Sequence, residues 1–307
     1  MRRSSHLNTY KSTGYKCLLP VYRQESDAWR RRFYIDSPRR MHSSPFELVS
    51  FKRPPVQEVA FAVQFPEPSI TIDFLAALPD ALSFDLPVRQ LRDPLPRIVE
   101  PLDERAEIQF AIRPGSTLPR AWFLSEDGVI LVQAQEDRIA LNWRRSGQPI
   151  DYPRYGALRT QFKELIDTTA TLLGMPEGLP ADFTELTYVN ELDVDGGPSL
   201  PAERALTTIS VPDADFLPQP EDSKWAARWL IPGDQGPRGR LIASAEPATR
   251  QDDQHDTYLL TMTVKIPETV TGTDAILERV DLGHEWIVRG FADLTTKQMH
   301  DQWGRTK

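Results

Sequence analysis

Between Trp122 and Arg144 the chain reads Trp-Phe-Leu-Ser-Glu-Asp-Gly-Val-Ile-Leu-Val-Gln-Ala-Gln-Glu-Asp-Arg-Ile-Ala-Leu-Asn-Trp-Arg. Asp127-Gly128 is a short-range hairpin signal, because a type I′ turn needs positive φ and this dipeptide supplies it cheaply. Glu136-Asp137 serves as a second turn, so the stretch folds as three antiparallel strands. Side chains alternate along a strand. With a two-residue loop at Glu136-Asp137, Gln135 lies opposite Arg138 and Ala134 opposite Ile139. Ile130, Val132, Ala134, Ile139, Leu141 and Trp143 then share an apolar face. Gln133, Gln135, Arg138, Asn142 and Arg144 share the other, with Leu131 and Ala140 between them. A slip of one residue would exchange the two sets, so the apolar pattern supports this register.

The polar face has two readings. One is a solvated sheet surface. The other is a recognition surface, since amides offer donors and acceptors and Arg offers a planar fork. Such a surface suits peptide backbone, nucleobase edges or polar small molecules, and the spacing does not choose among them.

The rest of the chain supplies the same kinds of element. After Pro54-Pro55, the residues Val59, Phe61, Val63 and Phe65 alternate as a first strand. Residues 72–82 form a short helix with Phe74, Leu75 and Leu78 inward. Residues 84–105 are rich in proline and charge and read as a long connection, followed by a strand over 106–113. Over 155–173, Leu158, Phe162, Leu165, Ile166, Thr169, Leu172 and Leu173 recur at helical spacing, and Gly174 suits a C-terminal cap. Tyr152, Pro153 and Tyr155 form a stiff aromatic approach to that helix. Strands are expected at 185–194, 224–231, 240–246 and 257–266. A long helix over 274–293 carries Ile287, Phe291 and Leu294, and Thr295 with Gln298 matches a capping box for a last helix ending near Trp303. Each half is therefore strand, connection, three strands, long helix. The fold class is α+β, with antiparallel sheets each backed by a long helix and two loosely similar halves at about 46–178 and 179–304.

Charge divides the chain. Residues 1–42 hold ten Lys/Arg against three Asp/Glu, a net +7, which leaves −15 on the remainder. The acidic body argues against sequence-independent binding to phosphates, so nucleic acid is a partner only through this basic arm. The segment has no sustained apolar run and does not resemble a secretory signal. It reads as a disordered arm or as the result of an upstream start, because Met41 directly precedes the first well-patterned segment. No run of about 18 apolar residues is present, so no membrane span is expected. The single cysteine, Cys17, excludes an internal disulfide framework and a Cys-based zinc site, and a reducing cytoplasm is the natural compartment.

No Gly-rich phosphate loop and no G-x-S-x-G elbow occur. Asp252-Asp253-Gln254-His255-Asp256 is read as a hairpin turn in preference to a cation site. His284 and Glu285 are read as a helix-surface pair in preference to an acid and base. Tyr188, Asn190 and Glu191 lie on a strand able to line a cavity. No catalytic residue, metal ligand set or cofactor is assigned.

Phe51, Arg53-Pro54-Pro55-Val56, Glu58-Val59 and Gln64-Phe65 open a series of linked motifs. Trp122-Phe123-Leu124, Gly128, Gln133, Gln135, Asp137-Arg138, Asn142-Trp143-Arg144, Tyr152-Pro153 and Tyr155 follow. Tyr188, Asn190, Glu191 and Trp303-Gly304 complete it. In that order they resemble a sporadically distributed, uncharacterised bacterial protein family, over about residues 46–304. The resemblance implies an accessory role of the defence or toxin–antitoxin kind and brings no activity, cofactor or catalytic residue with it.

Two functional expectations follow. The first is a noncatalytic module that binds a protein or peptide through Gln133, Gln135, Arg138, Asn142 and Arg144. The second is a small-molecule binder or enzyme with a pocket between sheet and helices, lined by Tyr188, Asn190, Glu191, Arg138 and Arg144. Homo-oligomerisation is compatible with both.

Overall fold

The computed structural model describes residues 48–103, 110–111, 118–147, 149–193, 204–208, 216, 218, 223–250 and 253–307. The chain divides into two compact units, Met1–Phe46 and Glu47–Lys307, and every described residue belongs to the second. The basic segment 1–42, the Met41 start and most of the strand expected at 106–113 lie outside the described residues.

The elements in chain order are β1 (Val56–Gln64), α1 (Ile72–Ala81), β2 (Val88–Arg92), β3 (Arg97–Ile98), β4 (Phe110–Ala111), β5 (Arg120–Leu124), β6 (Ile130–Gln135) and β7 (Arg138–Arg144). Then come α2 (Tyr155–Leu172), β8 (Pro180–Ala181), β9 (Phe183–Leu192), β10 (Trp225–Ile231), β11 (Gly239–Thr249) and β12 (Asp256–Ile266). β13 (Val270–Thr271), α3 (Thr273–Leu294) and α4 (Lys297–Trp303) close the chain. The class is α+β. Nine strands form one antiparallel sheet in the order β10-β11-β12-β9-β1-β7-β6-β5-β2. The strands of the two halves therefore join in one sheet, through a pairing of the first long strand of each half, β1 with β9.

The expected hairpin register holds: Gln135 pairs with Arg138 and Ala134 with Ile139. The first turn differs from expectation. Gly128 has φ of 70°, but no positive φ occurs at Asp127, so the turn is not type I′. Instead the loop is longer. The Gly128 amide donates to the Ser125 carbonyl at 2.9 Å, and Asp127 Oδ1 accepts from the Val129 amide at 3.0 Å. The capping box is also displaced by one residue. Thr296, not Thr295, caps α4 by accepting from the Met299 amide, while the Thr295 hydroxyl donates to the Phe291 carbonyl.

One face of the sheet packs against α2 and α3. Val59, Phe61 and Val63 of β1, Ile139, Leu141 and Trp143 of β7, Leu186 of β9 and Leu260, Met262 and Val264 of β12 are buried there. From the helices come Leu158, Phe162, Leu165 and Ile166, with Ile276, Leu277, Val280 and Ile287. Gly290 lets α3 lie close, since a Cβ there would stand 3.1 Å from both Leu241 and Met262. No helix among the described residues is long and apolar enough to cross a membrane.

The opposite face is not open. Residues 93–101 run across it as an extended strap, and β3 lies within this segment. Asp93 and Leu95 each precede a proline, which pushes both toward extended backbone. The expectation of a solvated or freely accessible polar face is thus corrected: Gln135 is 4%, Asn142 5% and Arg138 8% exposed.

A candidate ligand chamber beneath the strap

The strap is held by amide side chains that imitate a neighbouring strand. Gln135 Oε1 accepts from the Leu95 amide and its Nε2 donates to the Leu95 carbonyl, both at 3.0 Å. Gln64 does the same for Ile98, accepting at 2.8 Å and donating at 3.0 Å. Arg138 Nη2 donates to Gln64 Oε1 at 2.8 Å and to the Pro96 carbonyl at 3.2 Å. Arg97 donates to the Phe65 carbonyl at 2.7 Å and pairs with Asp137 and Asp182. At the far end Arg240 Nε donates to Glu100 at 2.6 Å. The amide face does grip peptide backbone, and the backbone is the chain's own.

Under the strap the sheet is dented. Ala60 and Ala62 of β1 and Ala140 of β7 are neighbours in register, Ala62 directly opposite Ala140. Long polar side chains surround this floor: Gln133 and Gln135 from β6, Arg138 and Asn142 from β7, Arg120 from β5 and Glu185 from β9. With Leu95 above, they line a cavity of about 180 Å³ that is partly open to solvent. Along its wall runs a directed chain of hydrogen bonds. Arg120 Nη1 donates to Gln133 Oε1 at 3.2 Å, Gln133 Nε2 to Asn142 Oδ1 at 2.8 Å, and Asn142 Nδ2 to Glu58 Oε1 at 2.6 Å. The chain leads from a cation to an anion, so each amide dipole is oriented.

Other groups are left unpaired. The Nε–H groups of Arg120 and Arg138 are buried with no hydrogen-bond partner. No donor among the described residues lies within hydrogen-bond distance of the Glu185 carboxylate, which faces the same space. Burial lowers the pKa of Arg138, with Glu185 and Asp137 opposing the shift. Burial also lowers that of Arg120, and Arg92 adds to it. Burial raises that of Glu185, with Lys265 and Arg138 opposing.

No protein-family model matches this chain, and no curated protein does.

The second expected pocket does not assemble. Alternation along β9 sends Tyr188 and Asn190 to the helix face and Glu191 to the strap face. Arg138 lies on the strap face as well, and Arg144 Nε donates to the Gly128 carbonyl at 2.9 Å, tying down the first turn. Glu191 is bound by Arg250 at 2.5 Å and by Gln57 at 2.7 Å. On the helix face a cavity of about 300 Å³ is lined by Tyr152, Tyr155, Tyr188, Asn190 and His284, with apolar walls from Pro54, Pro55, Ile287 and Phe291. Its polar groups close on one another. The Tyr152 and Tyr188 hydroxyls are 3.0 Å apart, and Tyr188 lies 3.1 Å from His284 Nδ1. Tyr155 stacks on His284 and donates to Asp281 at 2.5 Å. His284 is thus not a helix-surface partner of Glu285, which pairs with Arg289 at 2.9 Å. His255 bonds Asp193 at 3.0 Å.

Of the residues singled out in the sequence, Gln133, Gln135, Arg138 and Asn142 converge on the chamber. Arg120, Glu185 and the alanine floor escaped notice. The signal was present in Val59-Ala60-Phe61-Ala62-Val63, where large residues on one face alternate with small ones on the other and mark a dent.

Proposed function

We propose that this chain is a noncatalytic binding protein whose ligand, a small polar molecule carrying an anionic group, occupies the chamber beneath the strap. One observation carries the reading: two arginines, each with a buried unpaired N–H, and a carboxylate with no hydrogen-bond donor among the described residues line one small cavity. An unsatisfied buried polar group costs about 1–3 kcal/mol. Native structures retain few of them, and those retained concentrate at functional sites. The larger helix-face cavity lacks this property, because its hydroxyls and imidazole satisfy each other.

Binding is favoured over catalysis by the lining itself. Glu185 has guanidinium, amide and alanine neighbours in the chamber, and among the described residues no Ser, Thr, Cys, Lys or His stands there to form a nucleophile–base pair. A protein or peptide partner would first have to displace the strap. The single cysteine supports action in a reducing cytoplasm.

Ligand-observed NMR with acetate, butyrate, succinate, asparagine and glutamine tests the reading. At least one of these is expected to bind the wild-type chain in a 1:1 complex. It should fail to bind Ala62→Leu, whose added side chain fills the floor while near-UV circular dichroism is retained. Equal binding by the filled variant, or no binding by any probe, refutes the proposal.

A further inference from the structure

We infer, building on the chamber as a ligand site, that its ligand is a zwitterion: a free α-amino acid whose carboxylate meets Arg120 and Arg138 and whose ammonium meets Glu185. The two guanidinium groups are each half committed. Arg138 uses Nη2 on Gln64 and Pro96, and Arg120 uses Nη1 on Gln133, while the other terminal nitrogen of each has no hydrogen-bond partner among the described residues. Charge-assisted bonds from Arg to a carboxylate are stronger than neutral ones, so an anionic group is the natural complement.

An anion alone is a poor occupant. It would share about 180 Å³ with the Glu185 carboxylate, and like charges at such range repel. Lys265 pairs with Glu185 in register, yet its ammonium is drawn to Glu100 at 3.6 Å. Glu100 also accepts from Arg240. Among the described residues, Glu185 is therefore the chamber group that calls for a donor or a cation. A ligand with both charged groups on one carbon satisfies the guanidinium pair and the carboxylate together, and it adds no net charge to the site. The oriented amides Gln133 and Asn142 line the same chamber, where the side chain of a polar amino acid would lie.

Isothermal titration of the full chain with the twenty proteinogenic amino acids tests this. The best binder is then compared with its deaminated carboxylic acid and its decarboxylated amine. The amino acid is expected to bind at least tenfold more tightly than either truncated analogue. Glu185→Gln should weaken the amino acid at least tenfold yet strengthen the carboxylic acid, which no longer meets a like charge. Arg138→Gln should weaken both. Should that variant fail to fold, Arg120→Gln, at a less buried position, carries the same expectation. Either analogue binding as tightly as its parent overturns the zwitterion and leaves the chamber as a site for a simpler ion. No binding by any member of the three series overturns the chamber as well.

Discussion

His284 lies between the Tyr155 ring, 3.7 Å away and nearly parallel, and the Tyr188 hydroxyl. Burial lowers its pKa to about 4, with the Asp281 carboxylate opposing. The same burial pushes Tyr152 up to about 12, so near neutral pH the relay is uncharged throughout. Because the folded value lies below the ordinary one near 6.5, the unfolded chain takes up a proton first as pH falls. The associated stability is complete above about pH 6.5 and is lost between there and pH 4. A shift of this size corresponds to roughly 3 kcal/mol. His284→Gln should therefore destabilise the chain at pH 7, and its deficit against wild type in urea unfolding should shrink by about that amount at pH 4. A deficit that is the same at both values would show that the imidazole charge plays no part. Nothing local in the sequence exposes this residue. Helical spacing places it beside Glu285, and its true partner stands on β9, 96 positions away.

The strap shows what pattern reading misses at the level of an element. Its proline-rich sequence has no periodicity, so it reads as a connection, although it is extended and fully engaged. Its bonds run to residues 34 to 140 positions distant, at Gln64, Gln135 and Arg240. The hairpin, by contrast, was legible because its partners are close in sequence and its apolar face is strict. The polar set Gln133, Gln135, Arg138 and Asn142 was visible as a cluster for the same reason. Whether water or protein covered it was invisible. The Glu100–Arg240 pair is the strap's deepest anchor, with both side chains under 10% exposed. Removing one partner of such a pair strands a buried charge, whereas replacing both with apolar residues is far better tolerated. Glu100→Ala should cost on the order of 3 kcal/mol in urea unfolding, and Glu100→Leu with Arg240→Met should recover most of it. A double variant as unstable as the single one would show that the strap is held elsewhere.

At the scale of the molecule, strand order is symmetric about the β1/β9 seam. β1-β7-β6-β5 extends one way and β9-β12-β11-β10 the other, each set followed in sequence by its long helix. The repeated order of elements was readable in the sequence; the seam was not, because period-2 patterning says which face a strand buries and not which strand lies beside it. β1 is the strand that makes the halves inseparable. Ala60 pairs with Asn142 on one side and Thr187 on the other, so its backbone is bonded from both halves. The ends of the sheet are different. β10 is a largely exposed edge with Trp229 at 36% and Leu230 at 42%, and β2 is bonded on one side alone. Backbone groups with few buried contacts open locally, while those bonded and buried on every side open only with the whole fold. Native-state hydrogen exchange should therefore find β1, β7, β9 and β12 exchanging together at the global unfolding free energy, with β2 and β10 exchanging earlier. If β5, β6 and β7 instead lost protection as a group while β9, β11 and β12 kept theirs, the halves would be independent folding units. The seam would then be a docking contact between them, not the centre of one core.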